Sequence, residues 1–489
     1  MWIPDSQNIS APSFIGAPYT GNSLPSGPVF VPNARAAHID GGNTRTDDWA
    51  GPLGNNPQVF GADTVSAYMF WEEETASSHV LVSLTCSTDP VNFCLAALDA
   101  ETLEPIAQWS APNRTAVSTY WQVINGRVTI PTQEGFIVDV EFVKSTDGTG
   151  SFQQVREVDI SSVMTEGSII ATIGYTGDGN LWFSTSPVPL LGLDGPNITT
   201  IGYVQVDDAM HAITLQDELV ENGMAINNNA VYVVTGPAGA KDHANASGWF
   251  YAFQAGSDGV SVVYNETYSA GSGMKPGGLS RGSGSTVGLI GQKYVAITDN
   301  ADSQINLMVY RQVEEIGKGK GALVCSHPLF QPNASANEAS LTTYFDGEKY
   351  SAMITNCYNS PWSFSDGNDI NGPQNNMSAM APGVTRIDVA DDGTCNFVWN
   401  LPVRVVMTTL STGSGLFYLY TQDYELAKQG QYVWYVAAYD IQSGEEVWRA
   451  KMGAGGTYNT GLSAIQLGPN GRIFEGIAGG IAWMQDSAP

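Results

Sequence analysis

The 489-residue chain has a formal net charge of −28, from 48 acidic and 20 basic side chains, which makes nucleic acids and anionic membrane surfaces poor partners because such a field repels phosphate groups. No apolar run approaches the roughly 20 residues that span a bilayer, so we expect a soluble protein without membrane insertion. Hydrophobic residues make up 43% and glycines number 54, a composition typical of short strands joined by tight turns.

Residues 1–78 are rich in Gly, Pro, Asn and Ser, with short apolar runs at 29–31 and 67–71. We interpret them as an N-terminal arm that wraps over a propeller formed by residues 79–489. A disordered tail is the alternative, which the aromatic content of the arm disfavours. Residues 1–4 lack both the basic and the apolar region of a signal peptide, so we infer that a leader was removed and a start Met added.

One element recurs in residues 79–489: an apolar alternating strand that ends in Asp, a turn, and a strand that ends in Trp. It occurs at 97–109, 386–399 and 438–448. The Asp is expected to accept backbone N–H bonds in the turn, and the Trp to fill space between neighbouring sheets. Another alternating pair of strands precedes such hairpins, and two hairpins make a four-stranded blade.

These repeats predict an all-β fold, a single β-propeller of seven four-stranded blades, with eight as the alternative. Six units are expected near 121–160, 169–215, 226–264, 286–325, 341–399 and 409–448. A seventh combines 464–483 with strands near 80–109, so that N- and C-terminal strands close the ring and remove the sheet edges. Residues 312–316 are the one modest helical candidate.

Asn-X-Ser/Thr sequons and cysteines favour a secreted, disulfide-bonded glycoprotein. Cys86 and Cys94 bracket a short connection and are expected to pair, while Cys325, Cys357 and Cys395 can form one more bridge and leave one thiol over. The expected N-linked glycans are on the sequon asparagines, which are Asn8, Asn113, Asn197, Asn245, Asn265, Asn333 and Asn376.

Because propeller blades are radial, loops that lead into the innermost strands converge on one channel mouth, where residues distant in sequence can form a pocket. These loops are expected at 120–121, 166–168, 221–224, 283–286, 337–340, 409–412 and 458–459, and they supply Glu, Asn, Ser, Tyr and Trp side chains. The alternative is that such polar residues only satisfy backbone groups. The aromatic and amide cluster 356–362 can line the same pocket or form a packed loop.

Four further patterns bear on the possible chemistry. Asp299 and Asp302 offer oxygen ligands for Ca²⁺, although an Asp that caps its own hairpin is the favoured interpretation. Ser280 lies in a G-x-S-x-G pattern without the following helix that a nucleophile elbow requires, so a nucleophilic role is not favoured. The five histidines show no metal-binding spacing. A carboxylate pair for glycoside hydrolysis can be drawn from Glu221, Asp299, Asp302 and Glu338.

Several segments carry a resemblance to known proteins. They are 222–225, 275–278, 282–286, 296–302, 337–341 and 467–471. The stretch 222–483 resembles secreted proteins with quinoprotein-like (PQQ-like) propeller repeats, which implies the fold. More loosely, the chain is similar to fungal hetero-Diels–Alderases of tropolonic sesquiterpene biosynthesis, which implies cycloaddition without a cofactor. Residues that would grip a quinone and its metal are not identified, so we expect no cofactor and no metal.

The leading hypothesis is an enzyme of terpenoid secondary metabolism that binds a small apolar substrate in the channel mouth. It joins a quinone methide to a terpene alkene by positioning and hydrogen bonding. The candidate catalytic donors are Lys275, Arg281, Asn222, Asn337 and Tyr358. The candidate substrate contacts are the walls Trp121 and Trp362, with Glu221, Glu338, Tyr458, Asn356 and Thr409.

Two alternatives belong to other classes. A carbohydrate-active enzyme, either a hydrolase or a lyase, uses a carboxylate pair and aromatic platforms at the same mouth. A non-catalytic ligand-binding propeller is the other, because the fold does not fix the function.

Overall fold

The structure is a computed structural model that describes residues 3–63, 69–75, 78–88, 91–99, 102–117, 120–145, 149–187, 195–220, 222–279, 281–316, 321–361, 369–460 and 463–487. Strands hold 48% of the residues and helices 6%, which confirms the predicted all-β class. The two α-helices, α1 (Val313–Ile316) and α2 (Tyr424–Ala427), span four residues each, so no helix in the described ranges is long enough to cross a membrane.

The strands of the first half follow one another in chain order. Four short strands come first: β1 (Phe14–Gly16), β2 (Ala34–Ala36), β3 (Thr46–Asp47) and β4 (Pro57–Ala62). The next four form one sheet: β5 (Met69–Thr75), β6 (Ser78–Thr88), β7 (Val91–Asp99) and β8 (Pro105–Trp109). A second sheet contains β9 (Gln122–Ile124), β10 (Arg127–Pro131), β11 (Phe136–Lys144) and β12 (Gly150–Asp159). A third contains β13 (Ile169–Tyr175), β14 (Leu181–Ser186), β15 (Ile198–Val204) and β16 (Met210–Gln216).

The second half repeats the pattern. The fourth sheet contains β17 (Glu218–Leu219), β18 (Ala225–Asn227), β19 (Ala230–Pro237), β20 (Ser247–Gly256) and β21 (Gly259–Ser269). The fifth contains β22 (Gly288–Ile290), β23 (Tyr294–Thr298), β24 (Asn306–Arg311) and β25 (Leu323–Pro328). The sixth contains β26 (Thr342–Phe345), β27 (Tyr350–Thr355), β28 (Val384–Val389) and β29 (Cys395–Leu401).

Two sheets complete the set. The seventh contains β30 (Thr408–Ser411), β31 (Leu416–Gln422), β32 (Val433–Asp440) and β33 (Glu446–Ala454), and β34 (Gln466–Gly468), β35 (Arg472–Ile477) and β36 (Gly480–Asp486) belong to the eighth. Short 3₁₀ turns lie at Ser161–Val163, Gly239–Lys241, Pro373–Asn375, Met377–Ala379, Gly456–Tyr458 and Pro469–Gly471.

Strand β4 closes the ring, since it pairs antiparallel with β36 in the register Phe60 opposite Trp483. Closure by N- and C-terminal strands is therefore confirmed, and so is the single propeller. The described residues form eight sheets, five of four strands and three that gain extra strands from β1, β2, β3 or β17, so the count is the eight given above as the alternative to seven. The expected closing unit forms two sheets, because β4 is the fourth strand of β34–β36 while residues 69–109 supply four strands of their own.

Apolar clusters join each sheet to its neighbour around the ring, and eight such clusters complete the circle. Trp448 and Trp399 are buried in two of these interfaces, as the Asp-turn-Trp pattern predicts. Asp440 accepts its turn N–H bonds as expected, with Ser443 N at 2.8 Å. Asp388 does not accept such a bond, because its carboxylate is engaged by Arg386 Nε at 2.8 Å. In that turn Asp392 accepts from Thr394 N instead.

The first described residues are bound to the ring. Strand β1 pairs with β33, β2 pairs with β9, and β3 runs parallel to β30. Strands β4 and β5 are sheet members before residue 79. The division of the chain into an arm of residues 1–78 and a propeller of 79–489 stays a prediction.

One disulfide links Cys325 of β25 to Cys395 of β29, in neighbouring sheets, and Cys357 is a buried free thiol. This is the single extra bridge with one thiol left over that the sequence predicts. Cys94 is also disulfide-bonded. The side chain of Cys86 lies outside the described residues, so its pairing with Cys94 stays a prediction.

Residues 34–48, which we call the axial segment, fill the centre of the ring. Their backbone groups bond to the first strand of several sheets: Gly41 O accepts from Ile226 N at 2.7 Å, Gly42 O from Leu289 N at 2.8 Å, Thr44 O from Thr343 N at 2.8 Å and Arg45 O from Leu410 N at 2.9 Å. Because the first strands of separate sheets all reach this one segment, they are the innermost strands. The channel that the sequence predicts is thus occupied by the chain's own N-terminal part.

Arg45 fixes the axial segment to two sheets. Its side chain is fully buried, and its guanidinium donates to Thr408 O at 3.3 Å, to Ile465 O at 2.8 Å and to the Thr409 hydroxyl. These acceptors belong to, or lie next to, β30 and β34. The buried arginine therefore connects β30 with β34, two strands of neighbouring sheets that do not pair with each other.

Replacing Arg45 with Ala is expected to lower the free energy of unfolding by about 3 kcal/mol, because buried carbonyls lose a charged donor and a cavity is left. Urea denaturation followed by tryptophan fluorescence measures this. Lys428→Ala, which removes an exposed ion pair with Glu425, is the control and should change little. Equal denaturation midpoints for Arg45→Ala and the wild type would contradict the assigned role.

Candidate functional site

The ring has two faces. The loops that lead into the innermost strands lie on one, which we call the loop face; 120–121 and 283–287 are examples. The first hairpin turn of each sheet lies on the other, the turn face, with 125–126 and 291–293 as examples. The predicted site belongs to the loop face.

Five of the predicted site residues lie together between the fifth and sixth sheets. Lys275 Nζ donates to Ala301 O at 2.5 Å and to Ser335 O at 3.1 Å, and burial lowers its pKa. The other four are Asn337, Glu338, Asn356 and Tyr358, and their hydrogen bonds are mainly with nearby backbone groups.

These four residues are held by short local contacts. Asn337 Nδ2 donates to Thr355 O at 2.9 Å, and Asn356 Oδ1 accepts from Tyr358 N at 3.2 Å. The Glu338 carboxylate packs against Gly284, where a Cβ would collide with the backbone oxygen of Asn337, so only glycine fits there. Much of this cluster therefore satisfies backbone groups, as the alternative interpretation of these loops expects.

The remaining described candidates lie apart from that cluster. Asn222 bridges Tyr120 Oη and Ser283 O, each at 3.3 Å, and Arg281 donates to His243 O at 2.6 Å and Gly271 O at 2.7 Å and pairs with Asp242.

Three candidates are in the packed interior. Trp121 is buried between the first two sheets, Thr409 bonds Ile465 O at 2.7 Å, and Tyr458 Oη donates to Ile3 O at 2.7 Å. Glu221 and Trp362 lie outside the described residues. The roles of all these residues as substrate contacts stay predictions.

Asp299 caps its own hairpin. Its Oδ1 accepts from Asn306 N at 2.6 Å and its Oδ2 from Asn306 Nδ2 at 2.8 Å. Asp302 Oδ1 accepts from Ser272 N at 2.7 Å, in another loop. Within the described ranges, no group of three or more His, Cys, Asp and Glu side chains is arranged to hold a metal ion.

The centre of the ring contains three buried titratable groups, His38, Arg45 and Glu475. Burial raises the pKa of Glu475 to about 8, against the attraction of Arg45, and burial beside Arg45 lowers the pKa of His38 to about 3. His38 Nδ1, Arg45 Nη1 and Glu475 Oε2 have no hydrogen-bond partner among the described residues. A neutral Glu475 is therefore the form that the fold accommodates at neutral pH.

Glu475→Gln is expected to be more stable than the wild type at pH 9. The folded-state pKa of Glu475 is raised from 4.5 to about 8, so the contribution of this group to stability is fully present below pH 4.5 and is lost as pH rises through 8. The advantage of the variant should shrink as pH is lowered and disappear below about pH 4.5. Thermal melts of both proteins from pH 4 to 9 measure this, with the exposed Glu348→Gln as control. A pH-independent difference would contradict the expectation.

The turn face contains a cavity of about 490 Å³ across the channel mouth. It is lined by the β9–β10 turn, by β22 and by β26, which belong to sheets on opposite sides of the ring, and the axial segment forms its floor. Apolar walls come from the buried Phe30, Val31 and Ile39, with the half-buried Trp49 and Phe345. Its size falls within the range of small-molecule pockets.

Polar groups of the axial segment lie on the floor of this cavity. Arg35 Nη2 binds the buried Asp47 at 2.5 Å, and its guanidinium carbon lies 4.1 Å from the centre of the Trp49 ring. Asp40 accepts from Thr44 N at 3.0 Å and from Thr44 Oγ1 at 2.8 Å. Burial, aided by the charge of Asp47, raises the pKa of Asp40 to about 6. Asp40 thus has a pKa close to neutral pH, while Asp47 forms an ion pair with Arg35.

Comparison with known proteins identifies the fold of this chain but no function. No protein-family model matches the chain. An uncharacterised protein of Archaeoglobus fulgidus is 25% identical over 339 residues, which cover 65% of this chain and 61% of that protein. The chain therefore matches about three fifths of that relative's length.

Solved structures give the fold. The quinohemoprotein alcohol dehydrogenase of Comamonas testosteroni superposes with a TM-score of 0.54 at 10% identity, over 93% of this chain and 81% of that one. This likeness shows the β-propeller fold. BamB of Moraxella catarrhalis has a TM-score of 0.46 at 11% identity, with 88% and 98% covered.

The axis of this ring does not fit a quinone cofactor. The axial segment occupies it with hydrogen-bonded backbone, and the described residues offer no cluster of metal ligands there.

Sequence reasoning missed the turn-face cavity because it treated residues 1–78 as a covering arm. One signal was present: Arg35, Asp40, Arg45, Asp47 and Asp48 place five charges in fourteen positions of a chain that has only 14% charged residues. They follow the apolar run 29–31, which now forms part of the cavity wall.

Proposed function

We propose that this protein binds a small, largely apolar organic molecule in the turn-face cavity. The observation that carries the proposal is a 490 Å³ space across the channel mouth with aromatic and aliphatic walls and a few polar groups on its floor. Small-molecule sites commonly combine an apolar lining with a few placed polar groups. The loop face supports it less well, because much of its polar lining is engaged in the fold.

The reaction we propose is a cycloaddition of the hetero-Diels–Alder type. Two π bonds of a heterodiene, such as a quinone methide, and the π bond of a terpene alkene are replaced by two σ bonds between the reactants and one new π bond, and no atom or electron leaves. Such a reaction needs two reactants held together and a donor on the heterodiene oxygen. A protonated Asp40 and the guanidinium of Arg35 are the donors at the cavity floor.

A carbohydrate-active enzyme is the second candidate, and Asp40 with Asp47 favours it. Burial raises the pKa of Asp40 while Arg35 binds Asp47, and a carboxyl group with a raised pKa beside a second carboxylate is the pattern of acid and base pairs in glycoside hydrolysis. Trp49 and Phe345 are aromatic platforms at the same cavity.

We also propose secretion and N-glycosylation. All seven sequon asparagines are in the described ranges and none is buried. Asn376 is half-buried and the other six are exposed. The Cys325–Cys395 bridge is compatible with an oxidising compartment.

Gly27→Trp is expected to weaken binding of the neutral fluorophore N-phenyl-1-naphthylamine at least tenfold. Gly27 lines the cavity, and a Cβ there meets no atom within 4 Å, so an indole can occupy ligand space without strain. Fluorescence titration measures the dissociation constant. Gly273→Trp is the matched control, because its Cβ also meets open space but lies outside the cavity. Equal affinities in both variants would overturn the location of the site.

Asp40→Asn is expected to lower the rate of cycloadduct formation at least tenfold at pH 6 with little change in melting temperature, because an amide is a weaker donor to developing charge than a carboxylic acid. The assay follows a quinone-methide precursor and a terpene alkene by chiral chromatography. Sugar release from polysaccharides that Asp40→Asn abolishes would instead support the second candidate. Unchanged cycloaddition in the variant would contradict the role of Asp40.

A further inference from the structure

A second cavity of about 350 Å³ adjoins the first on the turn face. Val31, Asn33 and Asn125 line both, so the two cavities lie side by side on this face. The second cavity lies at the interface of the second and third sheets, and Arg127, Arg156 and Tyr175 are among its lining residues. An elongated molecule in the turn-face cavity can therefore extend outward between these two sheets.

The charge of the second cavity is opposite to that of the protein. Its charged lining residues are Arg127, Arg156 and Asp139. Asp139 is buried, and both its oxygens are engaged: Oδ1 accepts from Thr129 Oγ1 and Oδ2 from Tyr175 Oη, each at 2.7 Å. Two guanidinium groups thus face one occupied carboxylate, in a chain whose net charge is −28.

Both arginines keep donors free. A guanidinium has five N–H groups. Arg127 donates from Nε to the Glu141 carboxylate at 2.8 Å, and its two Nη atoms have no hydrogen-bond partner among the described residues. Arg156 donates from Nη1 to Tyr175 Oη at 3.1 Å and from Nη2 to Gln205 O at 3.3 Å and Asp208 at 2.7 Å, which leaves Nε.

The carboxylate partners of these arginines are poor competitors for a ligand. The side chain of Asp208 is 74% exposed and that of Glu141 is 37% exposed, and neither lines the cavity. Exposed ion pairs contribute little to stability, whereas an oxyanion between two guanidinium groups gains charge-assisted and bidentate hydrogen bonds.

We propose that the second cavity binds the anionic end of the ligand, an oxyanion group such as a carboxylate, sulfonate or phosphate, while the apolar body lies in the turn-face cavity. The proposal rests on the proposed function, because it assigns one end of the molecule that the first cavity binds. The ligand is then an elongated amphiphile with one acidic terminus. Arg127 and Arg156 are its specificity-determining contacts.

Two fluorophores with the same body test this. 8-Anilinonaphthalene-1-sulfonate carries a sulfonate that N-phenyl-1-naphthylamine lacks. We expect the wild type to bind the sulfonate at least tenfold more tightly than the neutral probe, despite the acidic protein. In Arg127→Gln/Arg156→Gln that preference should fall at least tenfold. Arg127→Lys/Arg156→Lys, which keeps the charges, should retain most of it, and raising the salt concentration should reduce it in the wild type.

Arg114→Gln is the matched control, since Arg114 pairs with Glu157 on the second sheet and lines neither cavity. A sulfonate preference that survives loss of both arginines, or that falls equally in Arg114→Gln, would overturn the anion site while Gly27→Trp still blocks the neutral probe. A neutral probe that Gly27→Trp does not affect would overturn the proposed function itself.

Discussion

The structure depends on the hydrogen bonds between the axial segment and the innermost strands. Each sheet of the ring is joined to its neighbours by apolar contacts, which are not directional. The segment adds directional bonds at the axis, where Gly41, Gly42, Thr44 and Arg45 each accept from the first strand of a different sheet. Filling the axis this way gives the edge N–H groups of these innermost strands partners that the sheets themselves do not supply.

The same constraint decides where a ligand can bind. Because the segment occupies the channel, a molecule approaches from a face rather than through the ring. On the turn face the segment forms a floor of Arg35, Asp40 and Asp47 beneath apolar walls, and it leaves a cavity. On the loop face the polar side chains turn toward backbone groups, as Lys275 does. The turn face therefore offers a ligand free space and polar groups, whereas much of the polar lining of the loop face is engaged in the fold.

Charge distribution adds selectivity. A protein with 48 acidic and 20 basic side chains repels anions at long range, so an anion can be held only where basic groups are concentrated and partly screened from the rest. Arg127 and Arg156 meet this condition in the second cavity. Repulsion elsewhere on the surface would then favour one binding site over scattered adsorption.

The sequence by itself determined the strand pattern, because alternating apolar residues and Asp-turn-Trp hairpins report local backbone geometry. The predicted unit 169–215 is observed as 169–216, and the predicted helix near 312–316 as Val313–Ile316. Helix α2 was missed because it depends on one capping residue, Asp423, whose side chain accepts from Glu425 N and Leu426 N.

Only the tertiary structure decided the rest. That β4 pairs with β36, and that Arg45 lies between β30 and β34, are contacts across more than 360 residues, for which no local period exists. The cavity is likewise a space left between a segment and turns from opposite sheets. Such a space is set by how surfaces meet rather than by any residue pattern along the chain.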